Sequence, residues 1–119
     1  MTSANIYIGI MSGTSIDSVD VVAVTFHADR LNLLDTHSYP IPEGLRQSIL
    51  TLSQANGDTV QLYGETDAAL GILFAEATLA IMSKLSLTTD MVMAIGSHGQ
   101  TVRHQPPNDT ALGFSLQIG

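Results

Sequence analysis

Cysteine and tryptophan are absent from these 119 residues, and lysine and arginine together number only four. Without cysteine there is no disulfide, no thiolate nucleophile and no cysteine-based zinc site, which is compatible with the cytoplasm. Four basic side chains against eleven acidic ones leave a formal charge of −7. Such a chain cannot neutralise a run of phosphates, so nonspecific nucleic-acid binding is excluded. A single nucleotide is not excluded, because backbone dipoles and a metal ion can hold it. Charged residues are scarce at 13%, while apolar residues reach 45%, which excludes disorder and fits a buried sheet flanked by helices. No segment reads as long enough to span a membrane, no basic n-region precedes an apolar core, and no repeat or low-complexity tract is visible. The expectation is one soluble, cytoplasmic domain with no nucleic-acid or membrane partner.

Several catalytic signatures are missing as well. Neither G-x-x-x-x-G-K-[ST] nor G-x-G-x-x-G occurs, which excludes a P-loop and makes a Rossmann dinucleotide site unlike this chain. Ser12 and Ser97 lack glycines at both −2 and +2, so neither is a nucleophile elbow. His98 and His104 stand six apart, with His27 and His37 far upstream. That spacing fits surface or hydrogen-bonded histidines rather than a metal site.

What is present begins with two apolar, β-branched runs, 5–11 and 19–27, read as buried strands joined by a small-residue turn. A third strand is expected at 31–39, ended by Pro40 and Pro42. Helices follow at 43–53, with Leu45, Ile49 and Leu52 on one face, and at 59–85, where Tyr63, Leu70, Phe74, Ala77 and Ile81 draw a stripe. Phe74 and Met82 read as core. Strands at 91–95 and 113–118 complete a β-β-β-α-α-β-β order, a mixed sheet of the α/β or α+β class. A last strand with nothing after it looks unfinished, so the chain is expected to be a fragment.

The turn after Met11 gathers Gly13, hydroxyls at Ser12, Thr14 and Ser15, and acids at Asp17 and Asp20. A plain hairpin turn accounts for that composition. Between two buried strands it also suits an anion cradle, since glycine removes the side chain that would block approach and backbone N–H groups can face the anion. Asp17 and Asp20 fall on opposite faces if the segment is extended, so they are not a carboxylate pair for glycoside hydrolysis. One of them, with Asp17 the candidate, could hold Mg²⁺ through water. A second polar group, His98, Gly99, Gln100 and Thr101, is expected in a loop behind a buried strand, offering donors and acceptors to sugar hydroxyls or capping neighbouring backbone. Arg103 beside it could meet a phosphate or carboxylate, or pair with Asp109.

Taken together, Gly9-Ile-Met-Ser-Gly-Thr-Ser-Ile-Asp-Ser-Val-Asp20, Gly96-Ser-His-Gly-Gln-Thr-Val-Arg-His104 and Leu116-Gln-Ile-Gly119 closely resemble the anhydro-N-acetylmuramic acid kinase family. Leu70-Gly-Ile-Leu-Phe-Ala-Glu-Ala77 looks like that family's long helix. The resemblance implies a ribonuclease H-like, actin-like ATPase fold whose two lobes close over ATP. It also implies a bacterial reaction of cell-wall sugar recycling: ATP and water open the anhydro ring of 1,6-anhydro-N-acetylmuramic acid and give its 6-phosphate, with ATP and Mg²⁺ as cofactors. Carried over residue by residue, Gly13, Thr14, Ser15, Ile16, Asp17, Ser18, Val19 and Asp20 would form the ATP phosphate loop. His98, Gly99, Gln100 and Thr101 would line the sugar site, Thr101 most directly. Ser18 stands where the family usually has glycine, a change that costs on the order of 1 kcal/mol where φ is positive. Family members are several hundred residues long, and their base aspartate is expected beyond Gly119. The fragment alone is therefore expected to be inactive. Two other readings stay open: a non-catalytic module that self-associates through its open sheet edge as a homodimer, and a related kinase acting on another sugar or a carboxylate.

Overall fold

The computed structural model describes residues 5–54 and 56–119. Three antiparallel strands come first: β1 (Ile6–Ser12), β2 (Ser18–His27) and β3 (Arg30–Pro40). Two helices follow, α1 (Glu43–Ser53) and α2 (Val60–Lys84). A 3₁₀ turn at Thr89–Met91 leads into β4 (Val92–Ser97), then β5 (Gln100–Gln105) and β6 (Phe114–Ile118). β1 to β4 form one mixed sheet in the order β3-β2-β1-β4, with β4 parallel to β1, while β5 and β6 form a separate antiparallel pair. The chain is thus α/β, with a mixed sheet and flanking helices. β5 was not expected; its residues read as loop in the sequence.

Alternation decides which face of the sheet is inside. Ile6, Ile8, Ile10 and Ser12 on β1 are buried, and so are Val19, Val21 and Ala23 on β2. Their pairing, Ile8 with Ala23, Ile10 with Val21 and Ser12 with Val19, puts both sets on one face. The strands are therefore half-buried rather than buried throughout, because the opposite face is open. α2 covers the inner face with Leu70, Leu73, Phe74, Ala77, Ile81 and Met82, all buried. These positions recur every three or four residues, the spacing that makes one apolar stripe. Tyr63, expected in that stripe, is one turn too early and stands at the exposed end of the helix.

Both ends of α2 are locally determined. Thr59 accepts a hydrogen bond at Oγ1 from the Leu62 amide, 3.0 Å away, and so caps the N-terminus. At the C-terminus the Leu87 amide reaches Met82 O (2.8 Å) and the Ser86 amide reaches Ser83 O (3.1 Å), with Ser86 at φ 54°. That is a Schellman closure with serine where glycine usually stands. At 25 residues α2 is long and apolar enough to cross a membrane by length and composition, which corrects the expectation that no segment is. Eight of its residues are buried against the rest of the protein, as in a core helix.

Arg103 pairs with Asp58 at 3.1 Å, not with Asp109, and donates to Leu52 O and Gln54 O, each at 2.8 Å. It thereby satisfies carbonyls at the end of α1 and ties β5 to that helix.

Candidate functional site

The β1–β2 connection, residues 13–17, leaves the carboxyl end of β1. Because β4 runs parallel to β1, its own carboxyl end, Ser97, arrives at the same edge. Ligands of open α/β sheets gather at this edge. The His98 amide donates to Ile10 O (3.0 Å), and the Ser12 amide donates to Gly99 O (3.3 Å). Two segments far apart in sequence are therefore neighbours.

Within the loop one amide is spent on the protein itself: Ile16 N–H donates to Gly13 O at 3.2 Å. Among the described residues no acceptor takes the amides of Gly13, Thr14, Ser15 or Asp17. These residues are exposed or half-exposed, so water can take their amides, and on a glycine-containing turn an anion can replace it. A Cβ built on Gly13 meets nothing within 4 Å, so the fold itself does not demand glycine there. The open space above that backbone is what a close-lying phosphate needs.

Ile16 and Val19 are buried, at 6% and 0% exposure, and can offer a ligand only backbone. Ile16 adopts φ 55°, a left-handed conformation that is an outlier for a β-branched residue. Ser18, by contrast, opens β2 without positive φ, so the expected penalty at that position does not arise. The strain sits two residues earlier. It costs roughly 1–2 kcal/mol, which the roughly 1.5–3 kcal/mol from burying an isoleucine side chain offsets, so the core holds the loop in this shape.

The two acids have different surroundings. Asp20 faces the open side of the sheet, where Ser38 Oγ donates to its Oδ1 at 2.7 Å and Ser18 Oγ at 3.4 Å. Asp17 is exposed, and among the described residues no side chain donates to its carboxylate. No cluster of three metal-ligating side chains occurs among the described residues. Asp20 and His98 meet across a concavity of about 550 Å³ on the open sheet face, with Gly9, Met11, Ser38 and Gly96 among its walls.

The second group does not form one surface. β4, expected to be buried, is a largely exposed edge strand. Gly99, at φ +76°, makes the sharp turn out of it, and a Cβ there would lie 2.8 Å from Ile118 O. Gln100 and Thr101 lie on β5, not in a loop. Gln100 is buried at 2% exposure; its Oε1 accepts a short hydrogen bond from Ser12 Oγ and its Nε2 donates to Thr101 O at 3.0 Å. Thr101 Oγ1 accepts from Gln117 Nε2 at 3.0 Å, and Thr101 lines a different concavity, of about 350 Å³, with Arg103 and His104. Sequence reasoning missed Ser12 as the buried partner of Gln100. The signal was there: Ile6, Ile8, Ile10 and Ser12 continue one alternation toward the core.

Comparison with known proteins bears on this edge directly. The profile of the family described as anhydro-N-acetylmuramic acid kinase matches residues 5–119. A protein of that name from Shewanella loihica is 46% identical over 117 residues, 98% of this chain and 31% of the relative. One from Coxiella burnetii is 45% identical over 113 residues, covering 95% and 29%. One from Shewanella pealeana is 43% identical over 115 residues, covering 97% and 31%. The chain belongs to the anhydro-N-acetylmuramic acid kinase family. It spans a little under a third of the length of these curated bacterial relatives. Both candidate segments, 13–20 and 98–101, lie within the matched part.

Proposed function

We propose that this chain supplies the phosphate loop and part of the sugar wall of a cytoplasmic, ATP-dependent kinase. The complete enzyme opens the anhydro ring of 1,6-anhydro-N-acetylmuramic acid by hydrolysis and phosphorylates O6, recycling cell-wall sugar. The observation that carries the reading is the loop with uncommitted amides at Gly13, Thr14, Ser15 and Asp17, beside the His98–Gly99 turn.

Those amides fit the phosphates of ATP, with Gly13 allowing close approach. Asp17, whose carboxylate has no internal partner among the described residues, is the side chain that would hold a Mg²⁺ ion through water. The metal supplies charge neutralisation on the transferred phosphoryl group. Ile16 and Val19 act as anchors, and Ser18 continues the loop into β2. Asp20 is held by Ser38, which fixes its carboxylate on the cavity wall. His98 offers the sugar a ring nitrogen across that cavity. Thr101 keeps its hydroxyl hydrogen for a ligand, since Gln117 supplies the donor in their contact. The base that activates water belongs to the remaining two thirds of the family's length.

MgATP titrated into isotope-labelled protein is expected to move the amide signals of Gly13–Asp17. Gly13→Ala is expected to fold normally, its methyl entering empty space, and to lose that response. Loop signals that stay still at millimolar MgATP would defeat the proposal. The 119-residue chain alone is expected to phosphorylate no anhydro sugar; clear turnover by chain free of host enzyme would show that it carries a base of its own.

A further inference from the structure

Ser12 and Gln100 are a buried polar pair whose side-chain bond adds to the backbone bonds between the two candidate segments. Ser12 is 3% exposed and Gln100 2%. Two polar side chains removed from water at that depth are tolerated only because each satisfies the other. Their bond does not stand alone. Ser12 is the last residue of β1 and the residue from which the loop departs. Its amide is held by Gly99 O, and the neighbouring His98 amide by Ile10 O. Gln100 is fixed in turn by its donation to Thr101 O. Gly99 is pressed against β6, where any Cβ would strike the Ile118 carbonyl. A continuous chain of contacts therefore runs from β6 through Gly99 and Gln100 to Ser12, and so to the first residue of the loop.

We infer that Gln100 is a positioning residue: it does not touch the sugar but, through the Ser12 hydroxyl, sets the pose of the 13–17 loop and couples it to the His98–Thr101 segment. The inference rests on the phosphate-loop reading for its functional meaning, and on the ligand-free geometry for its structural content. A loop with most of its amides uncommitted has little internal bonding to hold it. Its two ends must do so: Ile16 buried at one side, Ser12 latched to Gln100 at the other. Gln100, placed at the start of β5, is the only side chain among the described residues with a hydrogen bond to Ser12 Oγ. Site precision depends on such supporting contacts as much as on the groups that meet the ligand.

The test uses the 119-residue chain and the variants Ser12→Ala, Gln100→Leu and their double. Without nucleotide, both single variants are expected to raise the fast mobility of amides 13–15, read from nuclear relaxation, while α2 amides stay as in wild type. With MgATP, each single variant is expected to weaken binding about tenfold, and the double no further, because the Ser12–Gln100 bond is broken in all three. The double variant leaves neither partner orphaned, so its urea midpoint is expected to recover toward wild type while its MgATP affinity does not. Ile49→Val, a core change in α1 of comparable destabilisation, is expected to leave MgATP affinity unchanged. Ser12→Thr, which keeps the hydroxyl, is expected to retain binding. Loop mobility in Gln100→Leu equal to that of wild type overturns the inference, as does affinity that follows stability across the whole set. Should wild type itself not respond to MgATP, the phosphate reading falls, while the ligand-free mobility still decides whether Gln100 holds the loop.

Discussion

Single residues at the 13–17 edge show how unevenly a sequence discloses its chemistry. The loop was legible because glycine and hydroxyls interrupt two apolar runs, and Gly13 faces open space. Ile16 was not legible. Its positive φ and buried side chain depend on what packs beneath it, and no propensity flags a β-branched residue for the left-handed region. Gln100 looked like a ligand-facing amide because its neighbours are polar; its burial arises from a partner 88 positions away. Gly99 is the residue here whose identity the fold itself enforces. Gly99→Ala is expected to destabilise by roughly 1–3 kcal/mol, since it combines positive φ with a 2.8 Å approach to Ile118 O. Urea unfolding measures this, and an unchanged midpoint would refute the geometry.

Among the elements, both helices and the first three strands follow from periods that sequence displays openly. β5 hides because Gln100, Thr101, Arg103 and His104 offer no apolar alternation, and only Val102 marks its inner face. α2 yields a stabilising change. Serine at Ser86 bears a left-handed backbone that glycine adopts freely, though glycine loses more entropy on folding. Ser86→Gly is expected to add about 0.5 kcal/mol net, the difference between those two terms, visible as a higher thermal midpoint. A second contact, Lys84 Nζ to Asp35 at 3.0 Å, ties the end of α2 to β3. The hydrogen bond to Lys84 first, and that from the Thr36 amide second, hold the Asp35 carboxyl below its ordinary value of 3.8. A lowered folded value means the contribution is complete above the ordinary value and disappears as pH falls through the lowered one. Lys84→Met is therefore expected to reduce stability slightly near neutrality and not at all in strong acid. Urea midpoints taken between neutrality and pH of about 2 test that sign; an offset that persists in acid contradicts it.

At the scale of the whole molecule the asymmetry of the sheet dominates. One face is sealed by α2; the other leaves Met11 50%, Phe26 54%, Leu31 62% and Leu33 62% exposed. Tyr7 and Phe26 meet edge to face there at 5.3 Å, with no third layer over them among the described residues. An uncovered apolar face of this kind favours association. The 119-residue chain is expected to sediment with a concentration-dependent mass, and Leu31→Lys with Leu33→Lys to sharpen it to monomer. A monomer at all concentrations in the unaltered chain would count against that expectation. The sequence suggested association through an open sheet edge, but not the bare face, because which face a strand turns outward depends on partners the local pattern does not name.

The register of β2 against β3 carries one more consequence. Ala23 pairs with Asp35 but Val24 pairs with Leu33, so Leu34 is a surplus residue looped out of the ladder. Thr36 and Ser38, even-numbered, share a side with Leu31 and Leu33, odd-numbered, only because that residue resets the alternation. Had the ladder run on unbroken, the two leucines toward the hairpin tip would point to the helix side. A single supernumerary amino acid thus sends both leucines to the same surface as Met11 and Phe26.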